Sequence, residues 1–167
     1  LFLTWVWLIG VIGYGALMGL RHKRLIDRLG SLNPTHDTDV WRSETTEFGP
    51  ALIGVLRPRI IVPNTFEKYF SSDQQALILA HERCHKANFD PLINLAVASV
   101  TAVFWFNPLA HFAQSEFRCD QEMARDAIVI SSYPGSKRAY GEALLRAQTW
   151  AGTASLFTCQ WTSQHPL

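Results

Sequence analysis

The first twenty residues constrain the fold more strongly than any other part of the chain. They read LFLTWVWLIGVIGYGALMGL and contain no Asp, Glu, Lys, Arg or His. About 20 apolar residues in a helix cover roughly 30 Å, which is the thickness of the hydrocarbon core of a bilayer. The four glycines would weaken a soluble helix, but glycine is frequent in membrane helices, where it lets neighbouring helices approach closely. We therefore predict a transmembrane helix over residues 1–20.

The charges that follow this segment indicate its orientation. A basic cluster, RHKR, occupies residues 21–24 directly after the apolar run. A signal peptide would instead carry its basic residues before a shorter apolar run and would end in a small-residue cleavage site. By the positive-inside rule, the cluster places the carboxyl end of the helix in the cytoplasm. The chain also starts within the apolar run and without a Met, so we expect more protein upstream.

The rest of the chain has the composition of an ordinary polar domain. The whole chain is 48% hydrophobic and has a formal net charge of +1, which argues against a nucleic-acid partner held through phosphate contacts. We predict a juxtamembrane helix and polar linker over residues 21–44. Short apolar runs broken by Gly and Pro then predict two strands, Ala51–Leu56 and Arg59–Val62, as a hairpin or small sheet edge. Such an edge is either purely structural or accepts an extended peptide by strand addition.

A long helix is predicted in the middle of the chain. A Ser followed three residues later by a Gln forms a capping box, and this spacing occurs from Ser71 and again from Ser72. The helix must end near residues 90–91, where a Pro follows an Asp. The motif HERCH, at residues 81–85, therefore lies in the interior of this helix.

The HERCH motif predicts a metal site. In a helix, His81 and His85 lie one turn apart on the same face, so both imidazoles can bind one ion. Zinc accepts neutral His nitrogens, and in catalytic sites it takes three protein ligands and keeps a fourth position for water. Glu82, beside His81, can reach that water and transfer its proton during hydrolysis of a peptide bond. A surface helix with two His by chance is the simpler interpretation, but the capped helix and a third ligand downstream argue against it.

The third ligand is expected on a second helix that runs from about residue 116 to residue 130. The candidates are His111, Glu116, Asp120, Glu122 and Asp126. Glu122 and Asp126 are four residues apart and share a face, whereas Asp120 points away. We predict that Glu122 binds the metal and that Asp126 accepts the N–H of a ligand His, which would fix its tautomer. The alternative is that both acids are solvated charges on a helix surface.

Together, these motifs resemble those of the BlaR/MecR-type bacterial membrane metallopeptidases, the antirepressor family of beta-lactam-resistance signalling. The resemblance rests on HERCH at residues 81–85, on WFNP at 105–108 and on DQEMARD at 120–126. The segment GVLRPRIIVP at 54–63 is similar as well. The resemblance covers about residues 45–130 and is more specific than the metal motif alone.

The resemblance implies a zinc endopeptidase of the gluzincin type, with His81, His85 and Glu122 as ligands and Glu82 as catalytic base. It implies a multi-pass protein of the bacterial inner membrane whose active site faces the cytoplasm, and a protein substrate such as a transcriptional repressor or the protease itself. The sequence departs from the family pattern after Glu122, where it reads MARD and family members commonly have ACD. It also contains no Ser-x-x-Lys motif of a beta-lactam sensor, so nothing in it indicates beta-lactam binding.

Two other functions remain open at this point. The chain could belong to a membrane signalling or scaffold protein whose zinc site is not catalytic. It could also be related to the membrane zinc proteases of heat-shock or CAAX type, which share the spacing of His and Glu ligands. Cleavage of a protein substrate would exclude the scaffold protein. Further transmembrane helices in the full-length protein would favour a protease of heat-shock or CAAX type.

A second apolar run complicates the topology. Residues 91–115 contain no Asp, Glu, Lys or Arg, and their apolar centre, Leu92–Phe106, has 15 residues. A helix of that length rises about 22 Å, which is short of a full membrane span. A single crossing would also put Glu122 on the opposite side of the membrane from His81. We therefore predict a buried or re-entrant helix over residues 91–110.

The predicted architecture is a mainly α membrane protein with a gluzincin-like zinc metalloprotease core, a small β-hairpin or sheet edge and at least one transmembrane helix. We place the peptidase domain at residues 45–150, with an amphipathic helix over residues 136–150 at its end. Residues 151–167 are expected to form a loop toward a missing C-terminal region. The residue that stabilises the oxyanion stays open, and the chemically able candidates are His111, Arg118, Tyr133 and Tyr140.

Overall fold

The computed structural model of the protein describes residues 1–46 and 48–150, so the loop predicted for 151–167 lies outside the described residues. The described chain is mainly helical and has one small sheet. The helices are α1 (Phe2–Arg28), α2 (Phe66–Tyr69), α3 (Ser72–Ala87), α4 (Asp90–Val103), α5 (Pro108–Ser132) and α6 (Lys137–Trp150). The strands are β1 (Leu32–Pro34), β2 (Val40–Ser43), β3 (Ala51–Ile53) and β4 (Arg59–Pro63).

Helix α1 contains the predicted membrane segment. Its 27 residues rise about 40 Å, and none of them is buried. Among the described residues, α1 is the one helix long and apolar enough to cross a membrane, judged by length and composition. It continues through the basic cluster and stops before Gly30, whose positive φ of 64° is a conformation that glycine adopts readily. The juxtamembrane helix predicted after residue 20 is thus observed as the C-terminal part of α1, up to Arg28.

One face of α1 packs against the connection between α4 and α5. The Trp7 indole N–H donates to the backbone oxygen of Val103 at 2.9 Å, and the Trp105 indole N–H donates to the backbone oxygen of Trp7 at 3.3 Å. A Cβ at Gly10 would overlap the Trp105 ring, so this close approach requires glycine. These contacts tie the apolar helix to the helices that carry the functional groups described below.

The sheet is larger than the predicted hairpin. Strands β3 and β4 form the predicted antiparallel pair, and Gly54 has a positive φ of 103° in the turn between them. Strands β1 and β2 lie in the region predicted as helix and linker, and the strand order is β1-β2-β4-β3. The linker prediction is wrong here because β2 is stabilised by parallel pairing with β4, a long-range contact that its own four residues do not indicate. The sheet therefore begins before residue 45.

Helix α3 lies between this sheet and the C-terminal helices. It starts at the capping box of Ser71 and Gln74, the first of the two predicted spacings. The Ser71 hydroxyl accepts the Gln74 backbone N–H at 3.4 Å, and the Gln74 side chain accepts the Ser71 N–H at 3.2 Å. The main apolar cluster joins Ile78 of α3 to β4 and α2 and to the fully buried Ala143 of α6. This packing confirms the predicted amphipathic helix near the C-terminus.

The second apolar run forms a helical hairpin. Helix α4 has 14 residues, the chain turns at residues 104–107, and α5 packs back against both α4 and α3. The Asn107 side chain caps α5 by accepting the Leu109 N–H at 3.0 Å. Many apolar side chains of the hairpin are exposed, among them Val100 at 58% and Phe106 at 59%. This face has no protein neighbour among the described residues, and the buried or re-entrant helix over residues 91–110 stays a prediction.

Candidate metal centre

Helix α3 presents both histidines of the HERCH motif toward one point. His81 and His85 are each 8% exposed, and their Nε2 atoms are 2.9 Å apart. The two rings are inclined by 75°, with centroids 4.6 Å apart. The four-residue spacing accounts for this arrangement, because residues one turn apart lie on the same helix face.

Glu122 of α5 completes a triangle of donor atoms. Its Oε2 lies 3.4 Å from His81 Nε2 and 3.5 Å from His85 Nε2. Zinc bonds of about 2.0–2.1 Å in a tetrahedron give ligand atoms about 3.3 Å apart, so the three observed separations are close to those of a zinc site. Two imidazole nitrogens and one carboxylate are also a donor set that zinc accepts. The residues present therefore fit the predicted metal.

The other predicted candidates for the third ligand lie elsewhere. Glu116 and Asp120 of α5 are exposed. The His111 Nε2 atom contacts the Trp105 backbone oxygen at 2.8 Å, so this nitrogen donates to a carbonyl. Among the described residues, His81, His85 and Glu122 are the group whose possible ligand atoms lie within 4.8 Å of one another.

The Nδ1 atom of His85 contacts a largely buried ion pair. Its Nδ1 atom lies 2.6 Å from Asp90 Oδ2, and Arg125 contacts both oxygens of Asp90, at 2.7 and 2.8 Å. Asp90 is 1% exposed. Phe89 has a left-handed φ of 56°, so α4 turns away directly after α3 and returns Asp90 to the face of His85. A carboxylate on the second nitrogen of a ligand His fixes the tautomer that leaves Nε2 available for a metal.

Sequence reasoning missed this pair. The Asp-Pro at residues 90–91 predicts only the end of α3 and indicates no partner for Arg125. The position of Arg125, three residues after Glu122 and on the same side of α5, was an available indication. The sequence alone did not indicate that α4 would bring Asp90 beside His85.

The Nδ1 atom of His81 contacts two groups, one from α5 and one from α6. Its Nδ1 atom lies 3.1 Å from Asp126 Oδ1 and 2.7 Å from the Tyr140 hydroxyl oxygen. The Tyr140 hydroxyl donates to Asp126 at 2.6 Å, so the His81 N–H has two acceptors. The structure thus brings Asp126 to the ligand His, in the position predicted for it. Tyr140 lies on the Nδ1 side of His81, away from the Nε2 atom that faces His85 and Glu122, and is therefore not placed to stabilise an oxyanion.

The charges of the centre favour a cation. Burial opposes protonation of His81, but hydrogen bonds to Asp126 and Glu122 outweigh it and raise the pKa of His81 to about 10. Burial likewise opposes ionisation of Glu122, yet hydrogen bonds from His81 and His85 lower the pKa of Glu122 to about 2. The ionised Glu122 is thus neutralised by proton-bearing imidazoles here, and a metal dication would take over that positive charge.

Glu82 lies beside the donor triangle without belonging to it. Burial raises the pKa of the Glu82 carboxyl above its usual value, and the neighbouring His81 and His85 oppose this shift. The backbone N–H of Leu52 on β3 also favours the ionised form. A carboxylate whose pKa is raised by a partly dry site is suited to accept a proton and give it back near neutral pH.

The donor triangle faces a cavity of about 500 Å³. Its walls come from α1, from the segment around β3 and from α3, α4 and α5. Glu82, His81, His85 and Glu122 all line it. Of the residues considered for oxyanion stabilisation, Arg118 lines the cavity, and burial lowers its pKa. The cavity is therefore the place where a substrate could meet the metal-binding groups.

Comparisons with known proteins give a consistent result. The family model described as BlaR1 peptidase M56 matches residues 1–167. The regulatory protein BlaR1 of Bacillus licheniformis is 34% identical over 98 residues, which is 58% of this chain and 16% of that protein. The aligned part is therefore a minor share of the relative's length.

Proposed function

The chain belongs to the BlaR1 peptidase M56 family, and from this premise we propose that it is the catalytic part of a membrane-bound zinc endopeptidase that acts in signal transduction. The family points to a membrane-associated metallopeptidase in signalling. The proposal adds the gluzincin type, with His81, His85 and Glu122 as zinc ligands and Glu82 as catalytic base. It is carried by one observation, the triangle of donor atoms that faces a cavity together with Glu82.

The proposed mechanism assigns each group of the centre a separate task. A bound zinc ion would supply Lewis acidity, which polarises a substrate carbonyl and makes a water molecule easier to deprotonate. Glu82 accepts the proton of the attacking water and transfers it to the nitrogen of the leaving amine. Asp90 and Asp126 keep the two ligand histidines in the tautomer that carries hydrogen on Nδ1.

We also propose the cytoplasmic face of the bacterial inner membrane as the place of the reaction. The length of α1 and the basic cluster at its carboxyl end support this orientation. Tyr14 and Leu25 of α1 both line the cavity, so the centre lies near the basic end of this helix. The substrate in the proposal is a protein, such as a transcriptional repressor or the protease itself, within a multi-pass protein.

The proposal is tested by replacing Glu82 in the full-length protein, purified in nanodiscs. Glu82→Gln should lower the rate of cleavage of fluorescein-labelled casein, or of the protein itself, by about 10²–10⁴-fold, because the general base is lost. Its zinc content, measured by elemental analysis, should stay equal to that of the wild type. Glu116→Gln, an exposed glutamate on α5, serves as the matched control and should cleave normally.

Two results would contradict the proposal. Cleavage by Glu82→Gln at the wild-type rate would remove Glu82 from the reaction. Zinc that is tightly bound by a wild-type protein without any peptidase activity would instead favour a signalling or scaffold protein with a structural metal.

A further inference from the structure

The cavity extends well beyond the metal-binding groups. Its volume of about 500 Å³ lies within the range of about 300–1,000 Å³ that is usual for ligand sites. The wall away from α3 is formed by one side of α1, from Tyr14 to Leu25, and by α4 from Pro91 to Ala102. Helix α1 therefore forms a wall of the space in front of the donor triangle, in addition to its proposed role as a membrane anchor.

This part of the cavity is nearly free of charge. The carboxylates that line the cavity are Glu82, Asp90 and Glu122, and all three belong to the metal centre. Arg118 is the single Arg or Lys among the described residues that line it. The side chains from α1 and α4 are mostly apolar or small. His22 of α1 is the imidazole that these two walls add. Away from His22, a charged group placed there would lose its hydration without an oppositely charged partner from residues 14–25 of α1 or residues 91–102 of α4.

The width of the cavity depends on glycines of α1. Gly15 and Gly19 both line it, and a Cβ added at either position would meet nothing within 4 Å. Gly13 has equally open surroundings but does not line the cavity. A larger side chain at either position would therefore project into the cavity and reduce its volume.

We propose that this cavity selects the substrate: it binds the segment that flanks the scissile bond and accepts bulky, uncharged side chains, with Gly15 and Gly19 of α1 determining the size that fits. The inference rests on the proposed function, since it takes the cavity as the place where the peptide meets the metal. Bulky apolar side chains gain most from leaving water in an apolar cavity, whereas acidic ones lose hydration. The substrate class is therefore a protein segment with neutral, bulky residues at the cleavage site.

The test measures binding, so that it does not depend on catalysis. The Glu82→Gln protein in zinc-loaded nanodiscs is titrated with three fluorescein-labelled synthetic peptides that differ only in two central residues, Phe-Leu, Ala-Ala or Asp-Asp. Fluorescence anisotropy should show that the Phe-Leu peptide binds at least about tenfold more tightly than the other two. Adding Gly15→Leu or Gly19→Leu should weaken binding of the Phe-Leu peptide by about tenfold or more and leave that of the Ala-Ala peptide within about twofold.

Controls separate a filled cavity from a disturbed helix. Gly13→Leu makes the same chemical change on the same helix outside the cavity and should bind all three peptides like its parent. Ala98→Leu fills the same space from α4 and serves as an independent variant if a change in α1 prevents folding. Equal binding of the three peptides, or equal effects of Gly13→Leu and Gly19→Leu, would overturn the proposal. Failure of the wild type to cleave either casein or itself would refute the proposed function but leave the binding result as it stands.

Discussion

The two histidines present the same atom to the same site, yet the protein holds them in different ways. His85 donates to Asp90, a carboxylate that is 1% exposed and is bound by Arg125 through both oxygens. His81 donates to a tyrosine hydroxyl and to Asp126, whose side chain is 33% exposed. His85 is thus supported by an ion pair whose carboxylate is buried and whose Arg125 side chain is 14% exposed, whereas His81 is supported by a hydroxyl and a carboxylate that solvent reaches.

The difference indicates where the site can tolerate change. If the Asp90–Arg125 pair loses one member, the remaining charge has little access to water, so the cost is large. If the Asp126–Tyr140 pair loses one member, the other still contacts His81, and water can reach the remaining carboxylate. We therefore expect His85 to be the rigid ligand and His81 the adaptable one, and the predictions below test this order.

The largest effect is expected for Asp90→Asn. The change leaves Arg125 without its carboxylate and weakens the hydrogen bond that orients His85. Loss of one member of a buried pair typically lowers the free energy of unfolding by about 3–5 kcal/mol. Loss of the hydrogen-bond partner of a ligand His typically lowers metal affinity by about 10–100-fold. Thermal unfolding in detergent and zinc titration against a competing chelator would measure the two effects.

A matched control exists for this change. Asp73 lies in the first turn of α3 as Asp90 lies in the first turn of α4, so Asp73→Asn removes the same favourable interaction with a helix N-terminus. It should leave zinc affinity unchanged. The double variant Asp90→Asn, Arg125→Met should regain part of the lost stability, because it no longer leaves a charge unpaired. Equal effects of the Asp90 and Asp73 changes would remove the distinction between the two histidines.

The sequence predicted the parts of the site that depend on local spacing. His81, Glu82 and His85 lie within a single helical turn, and Glu122 and Asp126 are one turn apart on another helix. Helix periodicity fixes which of these side chains share a face, so the structure brings the predicted groups together. The argument that Glu122 must lie near His81 also anticipated that α5 packs back against α3 after the second apolar run.

The sequence did not predict the parts that depend on long-range contacts. Asp90 reaches His85 because Phe89 takes a left-handed conformation, which is uncommon for a residue with a side chain and has no sequence signature here. The local sequence predicts a linker at β2. It does not predict the strand, because the four residues of β2 are stabilised by β4, which lies about twenty positions later in the chain. In both cases the stabilising partner lies outside the window that a local pattern covers.

An intermediate effect is expected for Asp126→Asn. Tyr140 still accepts from His81, so the imidazole keeps one of its two acceptors. We expect zinc affinity to fall by about tenfold, the lower end of the range for such contacts, and stability to fall by about 1 kcal/mol. Asp120→Asn, an exposed aspartate on the same helix, is the control and should change neither quantity. A loss as large as that of Asp90→Asn would contradict the assignment of His81 as the adaptable ligand.

The smallest effect is expected for Tyr140→Phe. The ring stays in the core and only the hydroxyl is lost, while Asp126 keeps its own contact with His81 at 3.1 Å. The loss of two hydrogen bonds should lower the free energy of unfolding by about 1–2 kcal/mol and zinc affinity by less than about tenfold. Tyr133→Phe, at an exposed tyrosine, is the control for the chemical change itself. Because the Tyr140 hydroxyl lies on the Nδ1 side of His81, cleavage at saturating zinc should be nearly normal, and its abolition there would instead place the hydroxyl in the reaction.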